Sequence, residues 1–312
     1  MSHVPRPASV PPGRLWPQWR EPARQQLRLM WRELAGLSVT GWEASVRLSP
    51  AGIEAGRWLA GFSPLGVAHD RLLALPGRLG MPAPARSLYQ QGLGQARQVY
   101  LGLDQTEADV VAKVYLESAL PAPDLRRQPV RQRHAALQIQ GYKWSLTRSL
   151  PHRLTEYWRL SGLDGVAMVE LLRAADGVPP ASQSAYRLVA RVLADAIARD
   201  PAWHGFRLLL VREPTSPRSS IGMRLYGSQL RAGVLAEGLL QLGASWGLAP
   251  EALKHLITVW ADHELGWLHA GTSAQGQPFL IFYCALNHAQ ARAALMSAEV
   301  VTPRHACALP EN

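Results

Sequence analysis

Three segments of the chain place a tyrosine two residues after a long side chain: Lys113-Val114-Tyr115, Arg224-Leu225-Tyr226 and Ile281-Phe282-Tyr283. On a β-strand, residues i and i+2 leave the same face, so each segment presents its first and third side chains together. In two of them a cation stands beside a phenol; in the third, Ile281 occupies the cation's position and Tyr283 stands alone. Arg47, and Arg159 on the face of Tyr157, extend the set. Cations next to hydroxyl donors hold diphosphates through charge-assisted bonds, while aromatic faces stabilise a positive carbon centre. The combination suits allylic group transfer, with Arg47, Lys113, Tyr115, Arg159, Arg224, Tyr226 and Tyr283 as the diphosphate-binding set. Tyr157, Trp144 and Trp267, with Tyr100, Tyr142 and Phe282, are candidates for an aromatic wall. Glu43, a carboxylate in basic surroundings, is expected to be ionised and able to take a proton from an acceptor.

These residues converge only if the strands curl into one lumen, and the patterning between them supports this. In Val110–Glu117, Val110, Ala112, Val114 and Leu116 share one face, and Lys113, Tyr115 and Glu117 the other. Hairpins are expected at Gln98–Leu103 with Val110–Glu117, at Leu137–Thr147 with Leu154–Leu160, at Phe206–Val211 with Ile221–Gly227, and at Gly266–Ala270 with Phe279–Ala285. A strand is expected around Trp42–Leu48. Helices are expected over Glu21–Leu37, from Ser63-Pro64 through Leu75, over Ala181–Arg199, and from Pro250 through Trp260. Helices with apolar stripes alternate with the hairpins in an αββα rhythm, so the apolar strand faces should pack outward and the Lys/Arg/Tyr faces line the interior. The expected architecture is α+β: an antiparallel barrel of about ten strands wrapped by helices. One domain is expected over residues 21–300, between a Pro/Arg-rich tail at 1–20 and a C-terminal tail at 301–312.

The chain has 312 residues and a formal net charge of +10, which favours a phosphate-bearing partner without naming it. Its cations are spread along the chain with no binding motif, which argues against nucleic acid. The arginines between Arg126 and Arg133 read as a solvated loop. Two cysteines, Cys284 and Cys307, form no metal-spaced pair, and neither a signal peptide nor a membrane-length apolar run is present, so a cytoplasmic monomer is expected. His263-Glu264 lacks the second histidine of HExxH, because position 267 is Trp267. Gly92-Leu93-Gly94 precedes a strand and lacks the third glycine of a dinucleotide loop, and Ser63 lacks the second glycine of a nucleophile elbow. The Asp-rich cluster with which all-helical prenyl synthases load metal-bound diphosphate is also missing.

Trp42-Glu43-Ala44-Ser45-Val46-Arg47, Tyr100-Leu101-Gly102-Leu103, Ala112-Lys113-Val114-Tyr115 and Gly276-Gln277-Pro278-Phe279-Leu280-Ile281-Phe282-Tyr283 together resemble the ABBA-fold prenyltransferases, most closely the cyanobactin-type branch that modifies ribosomal peptides. The resemblance implies a barrel that holds dimethylallyl or geranyl diphosphate and admits a peptide acceptor, often cyclic, from one end. Lys113, Tyr115, Arg224 and Tyr226 would hold the diphosphate, and Glu43 would orient or deprotonate the acceptor. Mg2+ assists many members; no tightly bound cofactor is implied. A small indole or phenol acceptor is the alternative within the fold, and a nucleic-acid-binding protein or a non-catalytic diphosphate carrier the alternatives outside it.

Overall fold

The computed structural model describes residues 19–119, 134–174, 179–201 and 204–296. The greater part of both tails, the arginines from Arg126 to Arg133 and Cys307 fall outside the described residues. The chain opens with α1 (Glu21–Leu34), β1 (Val39–Ser49), a short β2 (Gly52–Glu54) and β3 (Gly56–Phe62). Then come α2 (His69–Arg78), α3 (Ala83–Leu93), β4 (Ala96–Gln105), β5 (Val110–Ser118), β6 (His134–Ser145) and β7 (Arg153–Ser161). Helices α4 (Gly165–Ala174) and α5 (Pro180–Arg199) lead to β8 (Arg207–Arg212) and β9 (Ser219–Arg224). Last are α6 (Ala236–Trp246), α7 (Pro250–Trp260), β10 (Leu265–Thr272), β11 (Pro278–Leu286) and α8 (His288–Met296).

Every neighbouring pair in the sheet is antiparallel, and β11 returns to pair with β1 from Trp42↔Leu286 to Leu48↔Leu280. Strands β1 and β3 to β11 thus close a barrel, and β2 continues β3 along the same edge of β1. Closure removes the exposed strand edges that an open sheet would carry. The apolar face of each strand packs outward: Ala44 and Val46 on β1, Ala112 and Val114 on β5, and Leu280 and Phe282 on β11 share a core with Leu27, Tyr89, Leu193 and Leu253 of the helices. Among the described residues no helix is long and apolar enough to cross a membrane.

One helix start differs from expectation. The segment from Ser63 to Ala68 is a turn, and α2 begins only at His69. The Ser63 hydroxyl accepts from the Leu65 amide at 3.3 Å, and Gly66 sits at φ +77°, a left-handed conformation that ends a helix instead of extending one.

Candidate functional site

The barrel encloses a cavity of about 490 Å³ with two chemically distinct ends. At the first end, Arg57 of β3 and Lys113 of β5 touch the cavity, 8% and 5% exposed. Both pair with Asp104 of β4, Arg57 at 2.9 Å. Lys143 and Arg218 flank them and share Glu213, at 3.2 Å and 2.5 Å. Arg47 lies 3.7 Å from Glu54, and the guanidiniums of Arg47 and Arg218 stand 4.9 Å and 5.6 Å from the centre of the Phe279 ring. Five cations here answer three carboxylates. Burial pushes Lys113 down to about 7, against the pull of Asp104, and lowers Lys143 well below the ordinary lysine value. The paired cations hold Asp104 below the usual carboxylate range and Glu213 at about 2. The end is therefore rich in basic groups and desolvated, and an incoming anion would be met by groups that gain protons and partners from it.

Next to it stands a collar of Tyr115, Tyr157 and Tyr283. The rings of Tyr115 and Tyr157 meet edge to face at 6.0 Å, and burial raises all three phenols, which keeps them neutral. His269 completes this level, 5.2 Å from the Tyr283 ring; burial and the field of Arg218, Arg57 and Lys143 push it down to about 3, so it is an uncharged imidazole.

Several lumen rings lie flat against the wall because the neighbouring strand offers a glycine. Tyr115 covers Gly141, and a Cβ there would sit 2.6 Å from ring carbons; His269 covers Gly222 in the same manner at 2.4 Å. Only glycine admits so close a ring, and the rings bent aside leave the cavity open.

The second end opens to solvent past the exposed Arg97 and the half-buried Arg207. Glu43 of β1 accepts the Tyr226 hydroxyl at 2.5 Å. Glu117 of β5 accepts the Tyr100 hydroxyl at 2.5 Å and Gln138 Nε2 at 2.8 Å. Arg224 donates to the carbonyls of Gly205 at 2.9 Å and Tyr226 at 3.3 Å. Desolvation outweighs the Tyr226 bond and the nearby Arg224, and raises Glu43 to about 7. The expectation of a fully ionised Glu43 is thereby corrected: at neutral pH it is divided between acid and base, the condition for moving a proton.

The repeated cation-x-Tyr segments face one lumen, yet not at one level. Lys113, Tyr115 and Tyr283 belong to the cationic end and its collar, whereas Arg224 and Tyr226 belong to the mouth with Glu43. Barrel strands are staggered, so equal motifs on different strands arrive at different heights. Arg47 reaches the closed end through Phe279, and Arg159 lies outside the cavity lining, in the repulsive field of Arg207. Of the aromatic candidates, Tyr100, Tyr157 and Trp267 line the cavity. Trp144, Tyr142 and Phe282 do not: they are buried against the helices, because Lys143 takes the inward position between Tyr142 and Trp144. Missed from the sequence were Arg57, Lys143 and Arg218, the cations that supply what Ile281 lacks. Arg57 was legible as an inward member, with Leu59, of Arg57-Trp58-Leu59-Ala60, a strand whose Trp58 and Ala60 pack in the core.

No protein-family model matches the chain, and no curated protein matches it in sequence. Solved structures do match in shape. NotF in complex with brevianamide F and DMSPP aligns with 86% of this chain and 89% of its own, at 12% identity and a TM-score of 0.51. The 5-dimethylallyltryptophan synthase from Streptomyces coelicolor aligns with 82% of each chain, at 12% identity and a TM-score of 0.50. PriB in its binary complex with product diphosphate aligns with 82% and 81%, at 12% identity and a TM-score of 0.50. At such identities the likeness establishes the fold, the barrel of the ABBA prenyltransferases.

Proposed function

We propose that this protein transfers an allylic prenyl group from its diphosphate to a small aromatic acceptor of the indole or phenol type. The observation that carries the reading is the division of one lumen into a cationic end, a collar of neutral tyrosines and a mouth with a titratable carboxylate. The diphosphate is held by Arg57 and Lys113 in the field of Lys143 and Arg218, and its departure as an anion is stabilised there. The carbon–oxygen electron pair leaves with the diphosphate, and the allylic cation is shielded by Tyr115, Tyr157 and Tyr283 from water that would quench it. The acceptor carbon or heteroatom bonds to the cation, and its proton passes to the ionised form of Glu43.

The brevianamide F bound to NotF and the name of the 5-dimethylallyltryptophan synthase support a small aromatic acceptor, and the diphosphate bound to PriB supports a diphosphate donor. The β1, β4, β5 and β11 motifs are what support a ribosomal peptide, and that acceptor forms the second arm of the test. At the diphosphate end Asp104 and Glu213 are each held by two cations and Glu54 lies 3.7 Å from Arg47; no step is assigned to a metal.

The test incubates purified protein with dimethylallyl or geranyl diphosphate and, in parallel, free aromatic amino acids, simple indoles, phenols and cyclic peptides, with products followed by mass spectrometry. Prenylated small aromatics are the expected result. Modification of peptides alone would move the acceptor to the peptide class, and no consumption of either donor with any acceptor would overturn the proposal.

A further inference from the structure

Around the mouth, three neighbouring strands each carry an arginine to which the transfer chemistry gives no task. Resting on the acceptor site just proposed, we infer that the acceptor carries a carboxylate, which Arg207 and Arg224 receive while its aromatic ring lies against Trp267.

Register builds this arc. On β8, Arg207 and Leu209 both line the cavity, as does Arg224 on β9. Arg207 and Arg224 are direct partners across the β8–β9 ladder, and Arg159 of β7, the partner of Leu209, stands on the diagonal from Arg207. All three arginines are half-buried. Like charges placed opposite each other on adjacent strands oppose folding. Burial first, and the field of Arg207 second, lower the basicity of both Arg159 and Arg224. Among the described residues nothing is paired with this charge: Arg159 and Arg207 make no hydrogen bond or ion pair, and the same holds for Arg97 of β4, which also lines the mouth.

The rest of the mouth defines the partner that completes the arc. Its two carboxylates are already engaged: Glu43 accepts the Tyr226 hydroxyl, and Glu117 accepts from Tyr100 and Gln138. Arg224 donates from Nη1 to the carbonyls of Gly205 and Tyr226, which fixes its guanidinium. Its Nε and Nη2 make no hydrogen bond among the described residues, and Arg207 keeps all five of its N–H groups. Two such guanidiniums on paired strands offer a planar, multidentate seat to a carboxylate. The donor's phosphates have Arg57 and Lys113 at the other end, so the anion for the arc comes with the acceptor. Trp267 lines the cavity and is the register partner of Arg224 on β10, a flat wall beside the arc. An aromatic acid that enters ring first lays its ring there and leaves its carboxylate at the arginines. An ammonium in the same position would meet like charge.

The experiment is calorimetric titration of the full-length protein loaded with dimethylallyl thiolodiphosphate, with indole-3-propionate and its neutral amide, indole-3-propionamide, as probes. The two match in shape and differ in charge. Wild type should bind the propionate at least about tenfold more tightly in dilute salt, and the gap should narrow at about 0.5 M salt, where charge at the mouth is screened. Arg207→Gln should weaken the propionate about tenfold while leaving the amide and the thiolodiphosphate unchanged. If that variant does not fold, the wild-type comparison and its salt dependence decide alone. Equal affinity of the two probes in the wild type, or equal weakening of both by Arg207→Gln, would overturn the inference. So would a loss of thiolodiphosphate binding in that variant, which would give the arc to the donor. Binding of neither probe defeats the small aromatic acceptor and this inference with it. Transfer without carboxylate preference defeats this inference alone, and carboxylate preference without transfer defeats only the proposed reaction.

Discussion

Replacing Glu43 by glutamine should stabilise the fold at alkaline pH while suppressing turnover. In the folded chain the Glu43 carboxyl is raised from 4.5 to about 7, chiefly by desolvation. The folded state thus binds this proton more tightly than the unfolded chain does. The stability that the proton contributes is fully present below about pH 4.5 and is lost as pH rises through about 7. At about 1.4 kcal/mol per pH unit, ionised Glu43 costs the folded state about 3 kcal/mol at pH 8 and under about 1 kcal/mol at pH 5. Glu43→Gln removes that cost, and the amide oxygen can still accept from the Tyr226 hydroxyl. Urea denaturation of both proteins at pH 5 and pH 8 should show the variant gaining about 3 kcal/mol at the higher pH and little at the lower. Wild-type turnover should rise with pH around a midpoint near 7, and the variant should lose turnover without losing affinity for the donor. A stability difference that is the same at both pH values, or a variant that turns over normally, would refute the reasoning.

Gly141→Ala should cost about 1–3 kcal/mol in denaturant, because its Cβ would lie 2.6 Å from the Tyr115 ring; an unchanged midpoint would show that the ring is not held against the wall. Lys113, lowered to about 7, should take up a proton when diphosphate binds at pH 8; titration heats in buffers of different ionisation enthalpy should differ, and Lys113→Met should shrink that difference. Arg57→Met should weaken dimethylallyl thiolodiphosphate by about tenfold or more, and Arg224→Met by less than about twofold, since only Arg57 stands at the cationic end. The reverse ranking in the same titrations would place the diphosphate at the mouth.

Period-two patterning carried most of the architecture. Val110 to Glu117 shows unaided that Lys113, Tyr115 and Glu117 share the lumen, and the closed antiparallel barrel follows from repeating that logic in each hairpin. What failed was information that alternation does not hold. The stagger between strands set Arg224 beside Glu43 and away from Lys113, and no single strand records it. Chemical preference misled where it was allowed to outrank alternation: Trp144 looked like an aromatic wall, although Lys143 beside it can only face inward if Trp144 faces outward. Gln138 is the opposite case, since a bulge breaks the alternation and turns inward a residue that the pattern assigns to the outside. Arg57 lies on β3, outside the strands expected from patterning, and Arg218 in a turn before β9, yet both are tied to lumen carboxylates.

The central claim is that a prenyl diphosphate lies with its phosphates at the closed, cationic end and its allylic carbon at the tyrosine collar. A crystal structure of the complex with dimethylallyl thiolodiphosphate tests it directly. The account predicts phosphate oxygens on Arg57 and Lys113 and the prenyl group against Tyr115, Tyr157 and Tyr283. Phosphates bound at the mouth by Arg97, Arg207 and Arg224, with the cationic end still closed on Asp104, would contradict it.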